Sequence, residues 1–290
     1  MKIAISSDST IDLPKELLEK YDIHVVPFTL IMGEDQGLDG EITPDQLFAY
    51  TEQTGQLPRT AAVNEYQMEE HFASLLKEYD AVVHFDISSE MSSAFANAEK
   101  AAANFDGKVV CIDSRVLSTG IALLAIYARK LADAGYSPLE IKKLVEERIP
   151  FDQTSFILEG VDYLYKGGRC SALAMLGANL LRLRPEIYVK DGKMGPGAKY
   201  RGPMKKFVAS YVEDTLRAFP NIDPELVFLT YSTCEDKAIL EDTKATLLKA
   251  GFKEVLITRA GGTISCHCGP HCLGILYLND GDHTITPTGV

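Results

Sequence analysis

The sequence predicts an α/β fold with two sheets, one in each half of the chain. Strand and helix signals alternate through the first half, which favours a mainly parallel, Rossmann-like sheet. In the second half, Asp191-Gly192 is a strong hairpin signal inside a similar α/β pattern, so a mixed sheet is predicted there. A helix pattern stops at Pro150. We therefore predict an N-terminal α/β domain over residues 1–150 and a C-terminal α/β domain over residues 151–290.

The strands and helices of the first half are predicted from apolar runs and from helix start and stop residues. Short apolar or β-branched runs predict strands at residues 2–6, 23–26, 81–87 and 108–112. Pro14 begins a helix at residues 15–21 with Asp12 near its N-cap, and Ser137-Pro138 begins one that ends at Arg148. Apolar periodicity predicts further helices at residues 45–54, 64–79, 95–104 and 116–134.

The second half contains similar signals in a different order. Apolar runs predict strands at residues 155–158, 186–190, 226–230, 254–258 and 274–278, and a hairpin partner strand follows Lys193. Helices are predicted at residues 161–166, 171–181, 203–219 and 235–250. The first of these breaks at Gly167-Gly168, and the second ends before Pro185.

Composition excludes several classes of protein. The 290 residues are 46% hydrophobic and 24% charged, as in globular domains. A net charge of −12 disfavours binding to nucleic acid and all but transient contact with membranes. The longest apolar stretches are far shorter than the ~20 residues of a membrane span, and we expect a cytoplasmic protein. Six scattered or clustered cysteines do not form a disulfide scaffold.

Three predicted strands of the first half end in hydroxyl and carboxylate residues. These ends are Ser7-Asp8-Ser9-Thr10, Ser88-Ser89 with Ser92-Ser93, and Asp113-Ser114. Ligands bind outside the carboxyl ends of parallel strands, and hydroxyls beside helix N-termini suit a small anionic head group. The same residue types are the preferred N-caps, so a purely structural role stays open.

Two tracts of the second half carry further candidate residues. In Lys166-Gly167-Gly168-Arg169, the glycines allow a sharp bend and Arg169 offers a fork for carboxylate or phosphate. From this tract alone, however, a helix C-cap at Gly167 with a surface arginine is the favoured interpretation. The segment from Cys266 to Cys272 holds five Cys and His side chains. We expect all five to lie in one tight turn with no second ligand pair, so we predict no metal there and interpret His267 as a hydrogen-bonding residue among buried thiols.

Conventional catalytic patterns are missing from the sequence. It contains no GxSxG, HExxH, GxGxxG or P-loop motif. Ser92 with His267 could imitate a hydrolase, but nothing in the spacing supplies the acid that would orient the imidazole. We therefore predict no catalytic residues and no cofactor.

Taken in order, these tracts resemble the DegV family of bacterial lipid-binding proteins over nearly the whole chain. The matching segments follow the family's order. They are Asp8-Ser9-Thr10-Ile11-Asp12-Leu13-Pro14, Pro58-Arg59-Thr60, Ser88-Ser89-Glu90-Met91-Ser92-Ser93, Asp113-Ser114 with Gly120, Leu164-Tyr165-Lys166-Gly167-Gly168-Arg169-Cys170-Ser171, Pro185 with Asp191-Gly192, Lys199 and Arg201, and His267-Cys268-Gly269-Pro270.

The resemblance implies two α/β domains with one long-chain fatty acid, such as palmitate, stearate or oleate, in an apolar tunnel between them. It implies that Thr60 and Ser92 hydrogen-bond the carboxylate and that Arg169 and His267 lie around the same head group. It further implies that a separate fatty-acid kinase converts the presented carboxylate to an acyl phosphate, with Arg201 as a docking residue for that partner.

The chain departs from the family pattern at three places. Ala61-Ala62 replaces Ser-Gln, Ser93-Ala94 replaces Gly-Thr, and His271-Cys272 replaces a glycine and a small residue. Two alternatives to a fatty-acid carrier therefore stay open. One is an acyl or phosphoryl hydrolase or transferase that uses the same hydroxyls, and the other is a metal-binding or redox protein that uses the Cys266 to Cys272 segment.

Overall fold

A computed structural model describes residues 1–170, 184–285 and 287 of the protein and has the predicted α/β fold. The strands are β1 (Ile3–Asp8), β2 (Ile23–Val26), β3 (Thr29–Met32), β4 (Asp35–Leu38), β5 (Arg59–Ala61), β6 (Ala81–Asp86), β7 (Val109–Asp113), β8 (Asp152–Ile157), β9 (Arg184–Lys190), β10 (Lys193–Tyr200), β11 (Leu226–Tyr231), β12 (Glu254–Arg259) and β13 (Leu273–Leu278). The α-helices are α1 (Lys15–Lys20), α2 (Pro44–Thr54), α3 (Glu65–Leu75), α4 (Ala94–Ala102), α5 (Thr119–Asp133), α6 (Pro138–Arg148), α7 (Asp162–Gly167), α8 (Met204–Ala218), α9 (Lys237–Lys249) and α10 (Gly262–Cys268).

The first sheet is parallel throughout and has the order β2-β1-β6-β7. Every residue of β1 and β6 is buried, as expected where both faces of a parallel sheet are covered. Helices α4, α5 and α6 all pack against β6. The prediction of a mainly parallel sheet in the first half is therefore confirmed.

The second sheet is mixed and has the order β10-β9-β8-β13-β11-β12. Only β11 and β12 pair in parallel, and the other neighbours are antiparallel. Asp191 and Gly192 connect β9 to β10 with φ values of 51° and 81°, the positive sign that a tight hairpin turn requires at both positions. The hairpin prediction is confirmed, whereas the helix predicted at residues 171–181 lies outside the described residues.

Helix α5 lies between the two sheets. It contacts β1 and β6 on one side and β8, β11 and β13 on the other, and it is buried over most of its length. A helix that is apolar on all sides needs such a position. At Gly120 a Cβ would collide with the Thr154 hydroxyl, so glycine allows α5 to approach β8 closely.

A third sheet was not predicted from the sequence. It is antiparallel, has the order β4-β3-β5, and places Thr60 of β5 opposite Leu30 of β3. Its strands have three or four residues each and several exposed side chains, so they carry little apolar periodicity. This small sheet positions Thr60, one of the residues predicted to contact the head group.

A buried ion-pair cluster joins the end of α6 to the second half of the chain. Arg148 donates to both oxygens of Asp280 at 2.7 Å and to Asp223 at 2.7 Å, and all three side chains are almost fully buried. All strands of the parallel sheet precede Pro150, and all strands of the mixed sheet follow it. The division into two domains at Pro150 stays a prediction.

Candidate functional site

A cavity of about 300 Å³ lies between elements of the two halves, and most of its wall is apolar. Its volume is at the lower end of the range of small-molecule sites. Its apolar side chains come from the mixed sheet, from helices α7 and α10 and from loops of the first half. They include Phe28, Ala62, Ile87, Met91, Leu117, Phe156, Leu164, Met194, Ile264 and Leu276.

The four residues predicted to hold a head group all line this cavity. They are Thr60, Ser92, Arg169 and His267. Thr60 Oγ1 lies 3.0 Å from Nε2 of His267, and the Ser92 hydroxyl accepts a hydrogen bond from the Ala94 amide at 3.2 Å. The structure thus brings together side chains that are up to 207 residues apart in the sequence. Their contacts with a ligand stay a prediction.

Local backbone geometry brings Arg169 to the cavity. Helix α7 ends at Gly167, and Gly168 follows in the left-handed conformation with φ 72°. The Arg169 guanidinium donates to the Gly167 carbonyl at 2.7 Å and stays exposed at the edge of the cavity. A helix C-cap and a cavity residue were alternative interpretations of this tract, and the structure contains both.

The His267 imidazole is held neutral by its surroundings. Burial, with the positive charge of Arg169 as a smaller cause, lowers its pKa to about 4 from 6.5. A Cβ at Gly167 would lie 2.6 Å from Nδ1, so glycine makes room for the ring. Within the described chain, Nδ1 is buried without a hydrogen-bond partner. At neutral pH the ring can therefore donate or accept one hydrogen bond through Nε2 without carrying charge.

Helix α10, which carries His267, is held by two carboxylates from the first forty residues of the chain. Asp39 accepts from the amides of Gly262 at 2.7 Å and Thr263 at 3.0 Å, and from the Ser9 hydroxyl at 2.9 Å. Asp12 accepts from the Gly261 amide at 2.8 Å. Because helix N-termini leave amides unpaired, these two side chains supply the caps that glycine at position 261 lacks.

Asp12 lies near the N-cap of α1, as predicted, but its side chain does not cap that helix. Pro14 occupies that N-cap position, and Asp12 has φ 56° and also accepts from the Ser118 hydroxyl at 2.5 Å. Burial raises the pKa of Asp12 well above its ordinary value. The Asp12 carboxyl group thus links the segment after β1 to the N-terminus of α10. Local sequence spacing does not reveal this contact.

Most hydroxyls at the three strand ends bond to the protein itself. Thr10 donates to Asp8, Ser88 donates to the Gly192 carbonyl, and Ser89 donates to Asp113. Burial, followed by the charge of Asp86, raises the pKa of Asp8 to about 7. Ser92 and Ser93 are the members of that group of hydroxyls that line the cavity. The structural explanation therefore holds for Thr10, Ser88 and Ser89, whereas the Ser7 hydroxyl is buried without a hydrogen-bond partner in the described chain.

The prediction that the segment from Cys266 to Cys272 forms one tight turn is wrong. The segment's first three residues form the last turn of α10, which ends at Cys268 and is followed by the C-cap residue Gly269. Cys266, Cys268 and Cys272 are all buried, and burial raises the pKa of the Cys266 thiol. Among the described residues, no group of three or more His, Cys, Asp or Glu side chains has a geometry that could hold a metal ion. The cysteines pack as small apolar side chains here.

Two features of the wider surface bear on function. Next to the head-group residues is a surface depression whose wall includes Arg59, Lys166 and Arg169, together with Thr60 and His267. Arg201 lies elsewhere, exposed between β10 and α8. No helix in the described part of the chain is long and apolar enough to cross a membrane.

The fold and the cavity together define a class of α/β protein that has one parallel and one mixed sheet and a mostly apolar pocket lined by residues of both halves. A model of the DegV family matches residues 2–280. A DegV domain-containing protein of Clostridium perfringens is 31% identical over 286 residues, which cover 96% of this chain and 99% of that protein. The chain belongs to the DegV family, as the sequence motifs predicted.

Relatives and solved structures agree on the fold. The fatty acid-binding protein of Thermotoga maritima is 27% identical, covering 94% of this chain and 96% of that protein. A fatty-acid-binding DegV family protein from Thermus thermophilus superposes with a TM-score of 0.87 at 26% identity and covers 96% of this chain and 100% of that one. DegV of Bacillus subtilis, a fatty acid binding protein, gives 0.84 at 25% identity, covering 96% and 99%.

Proposed function

We propose that this protein binds one long-chain fatty acid in the cavity and is not itself an enzyme. The observation that carries the proposal is a mostly apolar cavity wall that also contains Thr60, Ser92, Arg169 and His267, with Thr60 and His267 within hydrogen-bond distance of each other. Burying the chain of a C16 acid at ~0.8 kcal/mol per methylene contributes on the order of 10 kcal/mol before ordering costs. The head group then needs only to keep its hydrogen bonds.

The polar side chains of the cavity wall offer what a carboxylate requires. The hydroxyls of Thr60 and Ser92 can donate, neutral His267 can orient the Thr60 hydroxyl, and the Arg169 guanidinium supplies positive charge. Relatives described as fatty acid-binding proteins support the same ligand class. We propose palmitate, stearate or oleate as ligands and no further cofactor.

A hydrolase or transferase mechanism finds less support. A Ser or Thr nucleophile needs a base that a third group orients. Within the described residues, Nδ1 of His267 has no hydrogen-bond partner that could act as this third group, and Nε2 faces Thr60 instead of Ser92. The site is therefore better suited to hold a carboxylate than to attack a carbonyl.

The test is to identify and remove the ligand and then measure rebinding. Organic extraction and mass spectrometry should detect a fatty acid, and the delipidated protein should bind palmitate, stearate or oleate. Arg169→Ala should weaken binding by about one to two decades, because a charge-assisted bond contributes roughly 1.5–3 kcal/mol. Arg201→Ala, an exposed arginine outside the cavity, is the matched control. A protein that is purified empty and takes up none of the three acids would overturn the proposal.

We further propose that the bound carboxylate is presented to a separate fatty-acid kinase. The depression beside Thr60 and His267 is lined by Arg59, Lys166 and Arg169, so an anionic phosphoryl donor can approach the carboxylate from outside. A fatty-acid kinase with ATP should form acyl phosphate, trapped as the hydroxamate, faster with the loaded protein than with free fatty acid. Arg201→Ala should slow that reaction without changing fatty-acid affinity. Equal rates with and without the protein would exclude this partner role.

A further inference from the structure

Cys268 and Cys272 are cavity-lining residues whose thiols lie within hydrogen-bond range of each other. Cys268 is the last residue of α10, and Cys272 directly precedes β13. Between them the chain turns through Gly269 and His271, which have φ values of 73° and 55°. The turn brings the side chains at its two ends together, and both cysteines are free thiols in the structure.

Ser232, which follows β11, holds both cysteines in place. Its hydroxyl accepts from the Cys272 amide at 3.1 Å and also hydrogen-bonds the Cys268 thiol. Its own amide donates to the Cys272 carbonyl at 3.0 Å. The contact between the two thiols is therefore fixed by the mixed sheet as well as by the short sequence separation.

The neighbouring Cys266 does not share this arrangement. It packs with Leu30 and Leu47 of the first half and, in the described chain, is not part of the cavity lining. Cys272, in contrast, stands at a position where the chain departs from the DegV pattern of a small residue. The pair of thiols is therefore a feature of this chain that the family resemblance does not explain.

A single thiol in this position reacts slowly, but a pair can complete an oxidation. The hydrogen bond with Cys272, followed by burial, raises the pKa of the Cys268 thiol well above its ordinary value, and the thiolate is the reactive form. A second thiol in contact captures the first oxidation product before that product is oxidised further. Both residues keep a small accessible surface, 5% for Cys268 and 7% for Cys272, so the cavity gives a small oxidant access to them.

We propose that Cys268 and Cys272 are a redox-sensitive pair, in which a hydroperoxide that enters the empty cavity converts the two thiols to a disulfide and a bound fatty acid prevents this reaction. With hydrogen peroxide, one sulfur attacks a peroxide oxygen, the O–O bond breaks, and a sulfenic acid and water form. The second sulfur attacks the sulfenic sulfur, the S–O bond breaks, and the disulfide and a second water form. Two electrons pass from the thiols to the peroxide. The protection by fatty acid rests on the proposed function, whereas the formation of the disulfide does not.

The experiment treats the delipidated protein with hydrogen peroxide, alkylates the remaining thiols and digests the protein with trypsin. No Lys or Arg follows Arg259, so Cys266, Cys268 and Cys272 lie in one peptide. That peptide should lose two hydrogen atoms and carry one alkyl group, on Cys266, and dithiothreitol should restore all three thiols. Cys268→Ala and Cys272→Ala should each abolish the disulfide, and the matched control Cys266→Ala should keep it.

The same reaction in the presence of palmitate tests the protection. At about ten times its dissociation constant, palmitate should slow disulfide formation about tenfold, because only the empty protein reacts. Thiols that stay reduced, that pass to sulfinic acid without a disulfide, or that leave the alkyl group on Cys268 or Cys272 would overturn the pair. An equal rate with palmitate bound would overturn the protection and leave the proposed function intact. If palmitate does not bind, the proposed function fails together with the protection, and the peptide result alone decides the pair.

Discussion

Asp39→Ala should destabilise the protein and weaken fatty-acid binding together, because Asp39 fixes the helix that carries part of the cavity wall. The substitution removes the acceptor of the Gly262 and Thr263 amides and of the Ser9 hydroxyl. Loss of a helix cap costs ~1 kcal/mol, and loss of the charged acceptor of a half-buried hydroxyl adds ~1 kcal/mol. The free energy of unfolding should therefore fall by about 2 kcal/mol.

Urea titration and fatty-acid titration of the same variant measure the two effects. If the full 2 kcal/mol is lost from the conformation in which α10 forms the cavity wall, fatty-acid affinity should decrease by up to about thirtyfold. Asp39→Asn keeps one acceptor and should recover about half of the loss. Asp35→Ala removes an exposed carboxylate from neighbouring β4 and should change neither quantity. Unaltered stability of Asp39→Ala would refute the capping argument, and lower stability with unaltered affinity would refute the link to the cavity.

Three further predictions address other contacts. Arg148→Met removes the arginine partner of two buried carboxylates and should lower the free energy of unfolding by about 3–5 kcal/mol. Arg217→Met, at an exposed ion pair, should lower the free energy of unfolding by only a small fraction of that amount. Equal decreases in the two variants would contradict the argument. Burial lowers the pKa of His84 to about 4 from 6.5, so the stability that neutral His84 contributes is present above pH 6.5 and is lost as the pH falls toward 4. In urea titrations between about pH 7 and pH 4.5, His84→Phe should therefore lose about 2 kcal/mol less than the unaltered protein, and parallel pH curves would speak against this. Thr60→Val and Ser92→Ala should each weaken fatty-acid binding, with non-additive effects in a double-mutant cycle if they share one network; two single variants with unaltered affinity would place the head group elsewhere.

The parts of the fold that the sequence predicted are those with strong local signals. Ser137-Pro138 begins α6 with a complete capping box, in which the Ser137 hydroxyl accepts from the Glu140 amide, so sequence and structure agree at that helix. The Asp191-Gly192 hairpin has the same origin in local backbone preference. The sheet formed by β3, β4 and β5 escaped prediction because its strands are short, partly exposed and paired across distant sequence.

The candidate site likewise contains residues that local motifs predict and contacts between residues distant in the sequence that they do not predict. Motif order was enough to select Thr60, Ser92, Arg169 and His267, which the structure places on one cavity. The role of Asp12 was not predictable from its neighbours, because its partner amide at Gly261 is 249 residues away in the sequence. Helix α10 was not predicted either. A run that begins with Gly261-Gly262 and ends in Cys266-His267-Cys268 has a low local helix propensity, and contacts from distant carboxylates compensate for it.

The position of the carboxylates explains how a chain with a net charge of −12 can offer a site for an anion. Near the cavity, Asp8 accepts a hydrogen bond from the Ile87 amide and Asp12 accepts one from the Gly261 amide. Burial raises the pKa of both carboxyl groups. A carboxyl group with a raised pKa carries less negative charge at neutral pH, so these residues repel a nearby anion less than their number suggests. The Arg169 guanidinium meanwhile lies on the cavity wall with its charge available. The local field at the proposed head-group site is therefore set by this arginine and by the hydroxyls of the cavity wall.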